Sequence, residues 1–348
     1  MLRIAIVNDI VLAAEVLKRL VQSVPEYKVA WVAYDGNEAV QKCMADTPDL
    51  ILMDLIMPNM GGTEATKTIM DRCPCAILIV TASVSGNISK VFEAMGHGAL
   101  DVIAMPVYGR SVDNEGAQKL LHKISMMRRL IGVDTKLGKQ PQQLPTVLSG
   151  AASSQPGYPL VLMGASTGGP LAISTILKHL PASFAAPIAI AQHVDGPFAG
   201  SLVQWLQQES NLPVKIAEEG DVPLPGKVYV AGTSDHMVLT KDRKIHYTAH
   251  PKDSVFRPSV DVLFESAALN WSAGGAGVIL TGMGRDGAAG LLSLRNAGWS
   301  TFAQDEQSCV VYGMPKAAVE LQSVSDILPL KEIPGRLSQA IEKLQIGV

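Results

Sequence analysis

"PLVLMGASTGGPLAISTILKHL", residues 159–180, decides how the second half of this chain folds. An uninterrupted apolar run breaks at Gly164-Ala165-Ser166-Thr167-Gly168, and apolar residues then recur at helical spacing from Pro170, a residue favoured in a first helical turn. A buried strand, a tight turn and a helix make the repeating unit of a parallel sheet. The turn fits G-x-S-x-G, whose glycines let a serine project above the sheet edge as a nucleophile. It does not fit a phosphate loop, because no lysine follows and Ser166 stands where G-x-G-x-x-G needs its second glycine. A tight turn without chemistry is the other alternative, and the local pattern alone leaves the two balanced.

The same alternation extends outward. After residue 158, "APIAIAQ", "KVYVAG" and "AGVILTG" read as strands, and "AGSLVQWLQQ", "VDVLFESAALN" and "GAAGLLSLRNAG" as helices. Before it, "LRIAIV", "KVAWVAY", "LILMDL", "AILIVTA" and "LDVIAM" are strands separated by amphipathic stretches such as "AAEVLKRLVQSV". Between the two lies "KLGKQPQQLPTVLSGAASSQPG", too rich in Gln, Pro, Ser and Gly to form a core, preceded by a helical pattern in "AQKLLHKISMMRRLIG". The expected organisation is two α/β domains, residues 1–107 and 158–348, joined by a helix and flexible linker over 108–157.

Bulk properties agree. The 348 residues, 47% of them hydrophobic, suffice for two cores. A net charge of −3 gives no electrostatic footprint for nucleic acid. Cys43, Cys73, Cys75 and Cys309 show neither disulfide nor paired C-x-x-C metal spacing, as expected of a reducing cytoplasm. "MLRIAIV" is too short for a signal-peptide core, and no apolar run approaches the ~18 residues that span a membrane. A soluble, cytoplasmic protein is expected, with no direct membrane insertion.

A nucleophile needs a base and an orienting acid. His193 ends the strand "APIAIAQ", and Asp286 follows the strand in "VILTGMGRDGAAG"; both stand, like Ser166, at the carboxyl ends of strands, where open parallel sheets bind ligands. His193 would take the Ser166 proton while Asp286 fixes its tautomer. Backbone N–H groups after Ser166, at Thr167, and around Met283 are oxyanion candidates. His236 is a reserve candidate for the base, whereas His179, His246 and His250 read as surface or packing residues. The order Ser, His, Asp differs from the Ser, Asp, His of common α/β-hydrolases and argues for a separate fold.

"GASTGGP", "AQHVDGPFAGSL", "FRPSVDVLFESAA", "VILTGMGRDGAAGL" and "FAQDEQSCVVYGMPKAA" together resemble the protein-glutamate methylesterases of chemotaxis, the CheB family. That resemblance implies hydrolysis of glutamyl methyl esters on chemoreceptors with release of methanol, deamidation of receptor glutamines, and no cofactor for the esterase. It assigns nucleophile, base and orienter to Ser166, His193 and Asp286. Gly232 in "VYVAGTSDHM" departs from the proline usual in the family.

The first domain resembles a response-regulator receiver of the flavodoxin-like fold, and the second implies a doubly wound parallel sheet. In receiver terms Asp54 is the phosphorylated residue, Asp9, Asp54 and the carbonyl of Ile56 would hold Mg2+, Thr81 is the switch hydroxyl, and a chemosensory histidine kinase is the phosphodonor. Two departures stand out: Asn8-Asp9 replaces an acidic pair, and Met105-Pro106 replaces Lys-Pro. Both resemble regulators of Wsp-type surface-sensing systems. A phosphorylation-regulated serine esterase is expected; the rival is a receiver-controlled scaffold whose second domain has lost activity.

Overall fold

A strand in the interior of a sheet covered on both faces is buried at every position, and "LVLMGA" is buried at all six. It forms the middle of a seven-stranded, all-parallel sheet in a computed structural model that describes residues 1–81, 88–106, 115–130, 157–194, 196–233, 235–252, 254 and 256–346.

The first unit carries β1 (Leu2–Val7), α1 (Val11–Gln22), β2 (Tyr27–Ala33), α2 (Gly36–Ala45), β3 (Leu50–Met53), α3 (Gly62–Arg72), β4 (Ala76–Thr81), α4 (Ile88–Gly96), β5 (Asp101–Ala104) and α5 (Glu115–Leu130). Its parallel strands lie in the order β2-β1-β3-β4-β5. Alternate strand residues pack to opposite faces: Ile4, Ile6 and Leu52 meet α1 and α5, while Ala5, Ile51 and Met53 meet the helices of the other face. Leu120, Ile124 and Met127 of α5 belong to that first layer. The helix expected within the 108–157 connector is therefore packed into the first unit, because its apolar stripe covers a sheet face that would otherwise meet water. The linker sequence itself, residues 136–157, lies outside the described residues except for Gly157.

The second unit carries β6 (Leu160–Ala165), α6 (Gly169–His179), β7 (Ile188–Gln192), α7 (Gly196–Glu209), β8 (Val214–Ile216), β9 (Val228–Val230), a hairpin of β10 (His236–Leu239) and β11 (Ile245–Thr248), α8 (Val260–Asn270), β12 (Gly275–Ile279), α9 (Ala288–Asn296), β13 (Ser300–Gln304), α10 (Met314–Glu320), β14 (Asp326–Leu328) and α11 (Ile333–Ile346). The strand order is β14-β13-β12-β6-β7-β9-β8. Helices α6, α7 and α11 cover one face, α8, α9 and α10 the other. The chain runs outward to one side from β6 through β7 and to the other from β12, so the switch point where doubly wound sheets bind ligands lies between β6 and β12.

The units touch. Helix α4 packs on α6 and α7, and Phe92 stacks on Trp205 with ring centroids 4.6 Å apart and planes 13° from parallel.

Candidate active site

Three neighbouring strands, β12, β6 and β7, deliver the three candidate side chains to one edge. Ala165 pairs with Gln192 and Gly164 with Ile279, so Ser166 and His193 leave the sheet side by side, with the loop to Asp286 on Ser166's other flank. The turn is closed by glycine: Gly168 has φ +77°, a left-handed conformation that side chains resist, and a Cβ there would lie 2.6 Å from Val310. Ser166 N–H donates to the Thr281 carbonyl (3.1 Å), and the Thr281 hydroxyl donates to the Thr167 carbonyl (2.9 Å). The β12 loop thus grips the turn from both sides.

His193 Nε2 donates to Asp286 Oδ2 at 2.7 Å, and Nδ1 is buried with no partner among the described residues. The hydrogen-bond pattern assigns the proton to Nε2 and leaves the Nδ1 lone pair free. The imidazole lies flat on Phe256, centroids 4.3 Å apart and planes 2° from parallel. Asp286 sits at the N-terminus of α8, accepting from Val260 N–H (2.7 Å), Asp261 N–H (3.1 Å) and the Ser259 hydroxyl (2.7 Å). Helix N-termini favour an anion there. Burial works to raise the Asp286 carboxyl, yet the His193 hydrogen bond and charge, with the Val260 and Ser259 donors, outweigh it and hold it at about 2.

Ser166, Thr167, His193 and Met283 open onto one cavity of about 750 Å³, also lined by Phe256 and Arg257. Among the described residues, neither Thr167 N–H nor Met283 N–H donates to any acceptor, and none joins Ser166 Oγ to His193. Free serines and bases are often slack before substrate arrives. The opposite wall comes from the receiver: Gln118, His122 and Met126 of α5.

His236 is elsewhere. It is buried, accepts Ser259 N–H at Nδ1 (3.1 Å) and donates from Nε2 to the Pro251 carbonyl (3.2 Å); burial depresses its pKa. It supports the residue that holds Asp286. His179 hydrogen-bonds the Thr175 carbonyl and His246 pairs with Glu219.

In the receiver, Asn8, Asp54 and Thr81 are buried at the strand ends, and Asp9 is half-buried beside them. Asp54 Oδ2 accepts from Asn8 Nδ2 (3.0 Å) and Oδ1 from Leu55 N–H (2.7 Å). Burial raises Asp54 to about 6, against the backbone donors of Leu55 and Ile56 and with help from the Asp9 charge. Met105 turns to the apolar layer of β1, α1 and α5. The neighbouring Asp9 and Asp54 carboxyls offer oxygen donors only, the type that suits a hard cation keeping several waters.

A receiver joined to a parallel α/β domain with serine, histidine and aspartate at adjacent strand ends defines a two-domain response regulator of hydrolase type. The chain belongs to the CheB methylesterase family: that family's model matches residues 161–337, and the response regulator receiver domain matches residues 4–112. It is 47% identical over 98% of its length to all of a Pseudomonas aeruginosa protein named protein-glutamate methylesterase/protein-glutamine glutaminase 3. A Bordetella avium protein named protein-glutamate methylesterase/protein-glutamine glutaminase 1 is 48% identical over 97% of each chain. The crystal structure of the Thermotoga maritima CheB methylesterase catalytic domain superimposes with a TM-score of 0.51 and 36% identity, covering 53% of this chain and 98% of that one.

Sequence reading missed Gln192, Phe256, Ser259 and Thr281. Ser259 had a signal, since a serine before an apolar helical run is an N-cap pattern; the others had none.

Proposed function

We propose that this protein hydrolyses glutamyl methyl esters on chemoreceptors, and deamidates receptor glutamines, under control of its receiver. The observation that carries this is the 2.7 Å His193–Asp286 pair whose free Nδ1 shares a cavity with Ser166. Ser166 Oγ attacks the ester carbonyl while His193 Nδ1 takes its proton; the imidazolium formed is stabilised by Asp286 and hands the proton to the departing methanol. Thr167 and Met283 N–H groups receive the oxyanion. Water then repeats the sequence on the acyl-enzyme and leaves a glutamate carboxylate. With a glutamine substrate, ammonia departs instead.

Regulation follows from the cavity wall. A receptor helix, ~10 Å across, cannot reach Ser166 past α5 while α4 holds the receiver on α6 and α7. A chemosensory histidine kinase supplies the phosphoryl group to Asp54, with Thr81 as the switch hydroxyl. Asp9, Asp54 and the Ile56 carbonyl would hold Mg2+, which offsets phosphoryl charge when bound. For the pathway, Asn8 and Met105 support the Wsp-type resemblance. Among the described residues no helix is long and apolar enough to cross a membrane, and we place the protein in the cytoplasm beside its receptors.

The test is methanol release from methyl-labelled receptor. Ser166→Ala and His193→Ala should each remove nearly all of it, up to ~10⁶-fold, and the double variant should lose little more because such residues act as a unit. Modest, additive losses contradict the assignment.

A further inference from the structure

We propose that Gln192 is a positioning residue that locks nucleophile and base to each other through its side-chain amide. The proposal rests on the reading of Ser166 and His193 as nucleophile and base. Gln192 ends β7 and is 2% exposed. Its single NH2 group donates to the Ser166 carbonyl at 2.9 Å and to the His193 carbonyl at 3.0 Å, so both of its hydrogens are spent on the two backbones that must present reacting atoms to one another. The Ser166 carbonyl also accepts Gly169 N–H (2.8 Å), the bond that closes the nucleophile turn. Alongside the strand pairing of β6 with β7 and the His193 N–H bond to the Ala165 carbonyl (3.0 Å), this amide ties the two strand ends through a side chain.

Its orientation is fixed, since the flipped amide would set an oxygen against two carbonyl oxygens. The remaining Oε1 is buried without a partner among the described residues and rests against Gly169, where a Cβ would come within 2.1 Å of it. An unpartnered amide oxygen in the interior is unfavourable. An apolar side chain of the same length would fill this space without that penalty. What the amide adds over such a side chain is the pair of N–H bonds, and hence the fixed separation of Ser166 and His193. Gly169 in turn is the residue that leaves the amide room.

In the full-length protein, Gln192→Met keeps length and volume but removes both donors, and Gln192→Asn keeps the amide but withdraws it from the two carbonyls. The readouts are the rate at which a fluorophosphonate labels Ser166, per folded molecule, and kcat and KM for methanol release. Misplacing reacting groups by a fraction of an ångström to 1 Å costs ~10- to 100-fold. We therefore expect labelling and kcat to fall together by that amount, with KM within about twofold of the parent value and the pH profile in place. Residue 192 as mere filling would lower only the folded fraction. A labelling rate per folded molecule within about threefold of the parent in whichever variants fold overturns the proposal. Labelling that persists in Ser166→Ala overturns the underlying esterase reading instead.

Discussion

Asp286 and Asp54 are both buried carboxyls at the carboxyl edge of a parallel sheet, yet their acidities diverge: about 2 for one and about 6 for the other. Burial pushes both upward. Asp286 is surrounded by four donors, from His193, Ser259, Val260 and Asp261, and stays ionised. Asp54 accepts from Asn8 and Leu55, feels the Asp9 charge, and has an apolar methionine, Met105, directly after β5. The difference teaches that the environment built around a strand-end acid, more than its depth, sets its job. In the proposed function, one is a standing anion that would orient a base, and the other a phospho-acceptor that would gain positive charge only with a bound metal.

Asp286→Asn strikes this contrast hardest. The folded state should persist by circular dichroism, but with the wrong His193 tautomer favoured, turnover should fall by ~10⁴-fold. A loss under tenfold would mean that the donors around residue 286 serve structure rather than His193.

Separating the regions comes next. A fragment of residues 158–348 lacks the α5 wall and the Phe92–Trp205 stack, and its methanol release should exceed that of the unphosphorylated full chain several-fold. A folded fragment that is slower would make the receiver an activator by a route other than blockade.

A smaller effect is expected at the receiver. In the metal-free protein the Asp54 carboxyl should take up its proton near pH 6, followed by carboxyl-carbon NMR, and added Mg2+ should move that step to lower pH. Met105→Lys should enlarge the rise in esterase activity on phosphorylation, since a ligand shifts a two-state equilibrium only through contacts that differ between the states. An unchanged response would show that the methionine is not what limits the switch.

The smallest concerns Asp261, which burial and then the neighbouring Asp286 charge raise to about 8. Its folded value lies above the unfolded one of ~4, so the native state binds the proton more tightly and its contribution is lost as pH rises from ~4 to ~8. Asp261→Asn retains an oxygen for the Gly290 N–H (2.7 Å). Its melting temperature should overtake the parent's as pH rises from 5 to 8, by ~2–4 °C at the upper end for each ~1 kcal/mol relieved. Parallel melting curves across that range would place the Asp261 proton elsewhere.

Much of this was readable in one dimension. Apolar runs marked β1, β3, β4, β6, β7 and β12, because strands buried on both faces need apolar residues throughout. The glycines around Ser166 marked the turn, and position after a strand singled out Ser166, His193, Asp286 and Asp54. The short strands β3, β5 and β9 showed as apolar runs, whereas β8, β14 and the β10–β11 hairpin are partly exposed and mixed in polarity and gave no such run. Helix α5 read as part of a connector, since an amphipathic stripe does not say which sheet it covers.

The sequence by itself determined which residue types stand at which strand ends, for that information is local: a strand, a glycine and a reactive side chain are neighbours in the chain. Only the tertiary structure decided which ends meet. Asp286 joins His193 across 93 residues, the Gln192 amide reaches the Ser166 carbonyl across 26, and Thr281 grips Thr167 across 114. Those pairings depend on strand order and register. Both are set by how whole apolar faces pack, a property of the entire sheet and of no segment within it.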